Sequence, residues 1–223
     1  APAELPRARR GRFCVPARRR PPRRRRRRRR PAAARACPQK RGVVPLRFLL
    51  FAASRLPEPL LNPEQLASGW VQLFDGQTLY GWQPNSEANW TVRNGVIHAD
   101  SGAPGLLVTT VPFADYELMC DFKLASGGNS GVFLRTPVTP EDPAEDCYEL
   151  NICDSHPAFQ TGSLVARKKG PAGLKVEGDW HTFHVVVEGP TINVKLDGKP
   201  VLEFTDETSS PLVAGRIGLQ MNG

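Results

Sequence analysis

Asn129-Ser130-Gly131-Val132-Phe133-Leu134-Arg135 and Tyr148-Glu149-Leu150-Asn151-Ile152-Cys153-Asp154 decide the fold. In both stretches apolar residues alternate with polar ones, and a β-strand turns successive side chains to opposite faces. Val132 and Leu134 share one side, as do Tyr148, Leu150 and Ile152, and that side is core. Gly131, Phe133 and Arg135 share the other, where Glu149 and Asn151 pair up in the same way. An arginine, a carboxylate and an amide on the open face of neighbouring strands make a polar site on a rigid sheet. Function is expected there.

The same texture extends outward from about Gly69, as short alternating runs separated by Gly, Pro, Asn and Asp. Strands are expected at 70–74, 90–93, 96–99, 106–109, 116–124, 132–136, 147–153, 163–167, 181–188, 191–196, 201–204 and 216–220. Asp197-Gly198 and Asn94-Gly95 supply the positive φ values of tight hairpins. Only Pro63-Glu64-Gln65-Leu66-Ala67 reads as helix, with Asn62 as its cap. About a dozen strands without a βαβ rhythm indicate an all-β, two-sheet jelly-roll sandwich spanning residues 69–223. Trp70, Trp82, Trp90 and Trp180 are read as core residues rather than sugar-stacking platforms.

The charge is very uneven. The chain as a whole carries +8, but residues 1–47 hold 18 Arg and one Lys against a single Glu, a net of +18. Residues 48–223 hold 11 basic against 21 acidic side chains, a net of −10. An acidic domain offers no phosphate-binding face, so no nucleic acid is expected as the partner of the folded domain, and any polyanion binding would come from residues 1–47 alone. The tail, with Arg23 to Arg30 in succession among Pro and Ala, repels itself and has little apolar surface, so disorder is expected. Its composition also resembles translated flanking sequence, as in a gene-model extension. Residues 48–68 form an apolar segment and linker. Val43 to Ser54 resembles an export signal, which makes the protein secreted or periplasmic. That run is too short for a membrane span, which needs about 20 apolar residues.

Cys14, Cys37, Cys120, Cys147 and Cys153 contain no C-x-x-C spacing, so no zinc site is indicated. Cys147 and Cys153 flank a strand that would hold them about 20 Å apart, too far for a disulfide without a bend. The acidic loop with Asp142, Glu145 and Asp146 lacks calcium-ligand spacing. No metal or cofactor is implied.

Further motifs follow in order: Leu73-Phe74-Asp75-Gly76, Gly81-Trp82, Gly95-Val96-Ile97, Asp115-Tyr116-Glu117-Leu118, the two stretches quoted above, Thr161-Gly162-Ser163-Leu164, Gly178-Asp179-Trp180-His181, and Gly215-Arg216-Ile217-Gly218-Leu219-Gln220. Together they resemble the 3-keto-disaccharide hydrolase domain family, whose fold is of the concanavalin A-like lectin/glucanase type. Two departures stand out. The family usually has Gln where Asn151 stands, and it continues beyond Gln220 into a further strand, so a sandwich lacking its final strand is expected.

What the resemblance implies is a carbohydrate substrate, an oxidised disaccharide or glycoside whose C3 ketone acidifies the C2 hydrogen. Cleavage then proceeds by elimination: a base takes the C2 proton, donors stabilise the enolate, an acid protonates the leaving oxygen, and water adds. Glu149 is the expected base, Arg135 the enolate stabiliser, and Asp154 or His156 the proton donor. Asn129, Asn151 and Gln220 would orient hydroxyls, with Lys168 at the rim. Two alternatives stay open. One is a classical glucanase using Glu149 and Asp154, although five residues of strand cover about 16 Å and retaining enzymes hold their carboxylates about 5 to 5.5 Å apart. The other is a lectin-like module that binds sugar without cleaving it.

Overall fold

A computed structural model describes residues 61–222 and, as backbone only, Gly11–Cys14 and Arg47–Leu50. In chain order the elements are β1 (Gly11–Cys14), β2 (Arg47–Leu50), α1 (Pro63–Ala67), β3 (Trp82–Pro84), β4 (Thr91–Arg93), β5 (Val96–His98), β6 (Gly105–Thr109), β7 (Tyr116–Lys123), β8 (Ser130–Thr136), α2 (Pro143–Asp146), β9 (Tyr148–Ile152), β10 (Trp180–Glu188), β11 (Thr191–Leu196), β12 (Lys199–Thr205) and β13 (Arg216–Met221). One sheet runs β1-β2-β7-β10-β11-β12, the other β3-β6-β13-β8-β9, and β4–β5 is a separate hairpin. Apart from β1 and β2, the basic tail and the leader-like segment lie outside the described residues. Among the described residues no helix is long and apolar enough to cross a membrane.

The alternation read from the sequence becomes the core. Register places Tyr116, Val187, Ile192 and Phe204 in one row across the first sheet, and Leu118, Val185, Val194 and Leu202 in the next. Against them pack Val132, Leu134, Tyr148, Leu150, Ile152 and Ile217 of the second sheet. Leu118, Leu134 and Leu150 are fully buried, and truncating such a leucine to Ala typically costs about 2–5 kcal/mol. The chemistry of the turns also agrees with the sequence. Asn94-Gly95 and Asp197-Gly198 all have positive φ, and α1 opens with a full capping box between Asn62 and Gln65.

Two expected strands are absent. Residues 70–74 are irregular, and in 163–167 Leu164 makes only isolated bridges, to Leu150 and Lys168. Ala166 has φ 60° there, a left-handed conformation that breaks an extended run. Conversely, Trp82–Pro84 pairs with β6, with Pro84 tolerated because the strand lies at the sheet edge. Trp70 and Trp82 are buried, and the Trp82 indole donates to the Leu73 carbonyl; Trp90 and Trp180 are half-buried.

Candidate active site

The outer face of the second sheet is organised by register. Phe133 pairs with Glu149 and Gly131 with Asn151; Gly218 pairs with Phe133 and Val108, and Gln220 with Leu106. Continuing the β8–β13 register by one residue sets Gln220 beside Gly131. Two rows result: Glu149, Phe133, Gly218 and Val108, then Asn151, Gly131, Gln220 and Leu106. Phe133, Val108 and Leu106 are buried with Cys147 beneath Val138. The other half of the face is polar, and Glu149 stands at the boundary.

That boundary sets the electrostatics of Glu149. Burial beside Phe133 pushes its carboxyl above the usual carboxylate value, while a side-chain hydrogen bond from Gln220 pulls the other way without cancelling the rise. A carboxylic acid held above its ordinary range is suited to exchanging protons near neutrality. Gly131 explains how Gln220 reaches it. A Cβ at Gly131 would lie 3.4 Å from both Gln220 Oε1 and Glu149 Cγ, so the two side chains meet across a strand position without one. Ser130 Oγ fixes the Gln220 backbone by donating to its carbonyl at 2.8 Å. Gln220 Oε1 is buried and has no donor among the described residues.

Around this centre, Asn151 is buried, and its side-chain amide donates to the Phe159 carbonyl. It thereby ties the loop of His156 to the sheet. His156 Nδ1 accepts from the backbone N–H groups of Ala158 at 3.1 Å and Phe159 at 2.8 Å, which leaves the proton on Nε2. Asn129 is half-buried at the mouth of β8, and Lys168 is exposed. No three His, Cys, Asp or Glu side chains gather to hold a metal among the described residues. Two hollows elsewhere, one along β11 and β12 and one beside Arg167 and Asp206, do not include Glu149. The candidate site lies on the outer face of the second sheet, where Glu149 is partly exposed.

Arg135 is not part of it. The register between β13 and β8 slips between Arg216 and Gly218, and Arg135 has φ 52°, so one extra residue in β8 breaks the alternation after Phe133. The side chain turns toward the other sheet, where it donates to the carbonyls of Ala114, Gly189 and Leu212 and to the Asp115 carboxylate. Only 2% of the residue is exposed. Gly215 enables the bulge, because a Cβ there would lie 2.2 Å from the Arg135 carbonyl. The expected enolate stabiliser is instead a clamp between sheets.

Asp154 is withdrawn as well. Its carboxylate accepts from Thr161 Oγ1 at 2.8 Å, from the Val176 N–H at 2.8 Å and from the Glu177 N–H at 3.3 Å, and the residue is buried. It joins two loops and has no access to a sugar oxygen. The glucanase pair Glu149 and Asp154 therefore loses one partner. His181 and His184 lie on the first sheet, each 2.7 Å from a carboxylate, Asp197 and Glu117 respectively.

Gly131 was not singled out by the motifs as a functional position, although a glycine inside a strand often marks close approach of a ligand or another backbone. Phe133, which alternation puts on the outer face, is buried there in a cluster against which Val138 packs.

A 3-keto-disaccharide hydrolase from Bacteroides thetaiotaomicron is 26% identical over 171 residues, which cover 62% of this chain and 59% of that protein. The chain thus spans about three fifths of the length of that relative. In structure, the chain is similar to a candidate glycosyl hydrolase from Parabacteroides distasonis, with a TM-score of 0.61 at 20% identity, covering 73% of this chain and 92% of the other. It is also similar to the carbohydrate-binding module CBM66 from Bacillus subtilis, with a TM-score of 0.50 at 16% identity, covering 63% and 87%. Residues 69–223 match the family described as 3-keto-alpha-glucoside-1,2-lyase-like domains, and with the jelly-roll sheets and the ordered motifs that carry the match, the chain belongs to that family.

Proposed function

We propose that this protein is a carbohydrate-active enzyme that cleaves the glycosidic bond of 3-keto-glycosides by elimination, with Glu149 as the base. The observation that carries the reading is the Glu149 carboxyl, shifted upward by burial, joined to Gln220 and set over a strand position that has no side chain. The family and the Bacteroides relative supply the substrate class.

In the proposed reaction Glu149 accepts the C2 proton, electron density moves onto the C3 oxygen, and the C1–O bond breaks. The departing oxygen takes a proton. Water then adds its oxygen to C1 while a proton returns to C2, which gives the free 3-keto sugar. With Arg135 engaged elsewhere, stabilisation of the developing oxyanion falls to neutral donors: the Gln220 and Asn129 amides, and His156 Nε2–H on the rim. A buried neutral donor contributes less than a guanidinium, which suits a substrate whose own ketone already acidifies the C–H bond. The leaving oxygen takes its proton from water, because Asp154 is buried and His156, whose Nδ1 accepts two backbone N–H groups, holds only its Nε2 proton.

The second reading is a sugar-binding module, favoured by the likeness to CBM66. Incubation with a 3-keto-disaccharide and with its unoxidised parent separates the two. Release of free sugar from the oxidised compound alone supports the enzyme. Binding of both without cleavage supports the module. An extracellular or periplasmic setting fits the leader-like run at 43–54, and the oxidised glycoside is the expected partner.

A further inference from the structure

The edge strand β12 carries an irregularity that the elimination chemistry does not use. Val194 of β11 faces Leu202, but the next residue, Lys195, faces Pro200, so Val201 is an extra residue with no partner opposite. A bulge of this kind bends its strand. Beside it, the outer face of the first sheet holds a hollow of about 430 Å³ lined by His184, Val186, Asn193, Lys195, Val201 and Glu203, within the size range of small-ligand sites. We infer that this hollow is a second carbohydrate site, which seats one neutral pyranose ring on the sheet opposite Glu149.

Register gives the arrangement. Asn193 lies between Val186 and Glu203 in one row, and His184 lies beside Lys195 in the next. Val186 and Val201 are half-buried and supply an apolar floor. Asn193, Lys195 and Glu203 are exposed, and among the described residues their side chains make no hydrogen bond or ion pair. A carboxylate that only accepts, an ammonium that only donates and an amide that does both therefore stand free around two valines. A pyranose presents the matching pattern, with C–H groups on its faces and, at its edge, hydroxyls that each donate and accept. Charge selects a neutral occupant: Glu203 and Glu117, the latter beside Val186, oppose an anion, and Lys195 opposes a cation. His184 is a fixed wall, since its Nε2 lies 2.7 Å from Glu117 Oε1. The inference stands on these residues alone and requires neither a keto group nor elimination.

The test titrates maltose, a neutral disaccharide without a ketone, into the isotope-labelled full chain and follows backbone amides by NMR, for parent, Asn193→Ala and Glu203→Ala. Saturable shifts are expected at Val186, Asn193 and Val201 in the parent. Each substitution should weaken binding by about fivefold or more, the loss of one hydrogen bond, while the melting temperature stays parental because both side chains are exposed and unpaired. Glucuronate should shift the same amides less than glucose does. Glu149→Gln should bind maltose here as the parent does, and Asn193→Ala should turn over a 3-keto-glycoside at the parental rate, so this site and the elimination chemistry stand or fall separately. Shifts confined to the face of Glu149, no shifts at all, parental binding by both alanine variants, or tighter binding of glucuronate than of glucose overturns the proposal.

Discussion

Arg135 Nη2 lies 3.1 Å from Asp115 Oδ1, and the guanidinium is almost completely enclosed while the carboxylate is about one-third exposed. The same Asp115 oxygen accepts from the Gly189 N–H at 2.8 Å, so one charged pair joins the entry to β7, the β10–β11 turn and the bulge in β8. A planar fork is needed to reach three carbonyls and a carboxylate together, and Lys cannot reproduce it. Arg135→Lys should cost about 3 kcal/mol or more, the range for breaking a buried, hydrogen-bonded pair. Urea denaturation measures this. Turnover per folded molecule should remain near parental, whereas a loss of turnover at full stability would return Arg135 to the chemistry.

Glu149→Gln removes the charge that burial disfavours. The folded-state pKa of Glu149 lies above its ordinary value of 4.5, so its contribution to stability is complete below that value and is lost as pH rises through the folded pKa. The variant should therefore match the parent in acid and become the more stable of the two toward neutral pH. Turnover should run the opposite way: parental kcat/KM rises with pH through the same raised pKa, because the base must be ionised, and the variant is inactive throughout. Thermal melts and pH-rate profiles check both.

Asp154→Asn keeps size but weakens acceptance of three donors, two of them backbone N–H groups at Val176 and Glu177. A loss of about 1–3 kcal/mol is expected when buried donors go unpaired. Hydrogen exchange should quicken first at Val176 and Glu177. If Asp154 were the general acid instead, turnover would collapse with those amides still protected.

The Tyr148 hydroxyl donates to Asp206 Oδ2 at 2.5 Å, and the Arg167 guanidinium lies 4.6 Å above the Tyr148 ring. Burial works to raise the Asp206 pKa, but the hydrogen bonds from Tyr148 and Thr208, with the charge of Arg167, outweigh it and leave the pKa below 3.8. Its stabilising contribution is therefore present above that value and lost as pH falls through the lower, folded-state pKa. Tyr148→Phe should cost about 1 kcal/mol at neutral pH and flatten the acid limb of the stability curve, which melts between pH 2 and 5 would show.

Much of the fold was legible because alternation is local. The runs around Leu118, Val185 and Val194 each declare their inward face, and Asn94-Gly95 and Asp197-Gly198 declare their turns without help from distant residues. The site was legible only as far as the alternation held. Glu149, Asn151 and Gly131 share the face assigned to them, but Arg135 follows a bulge created by the approach of Gly215 from another strand, and nothing local to β8 announces it. Asp154 was misjudged for a related reason: its partners Val176 and Glu177 lie more than twenty residues away along an irregular loop. Gln220 came from the family motif, and its meeting with Glu149 depends on a register that a single sequence does not display.

The most direct measurement follows the C2 hydrogen. In D2O, a 3-keto-glycoside cleaved by elimination and readdition of water must yield a sugar carrying deuterium at C2, detectable by NMR at a rate above the protein-free control. The parent is predicted to incorporate that label with each cleavage, and Glu149→Gln to lose both label and cleavage. Cleavage that leaves the C2 proton in place, or labelling that survives in Glu149→Gln, would contradict the role given to Glu149.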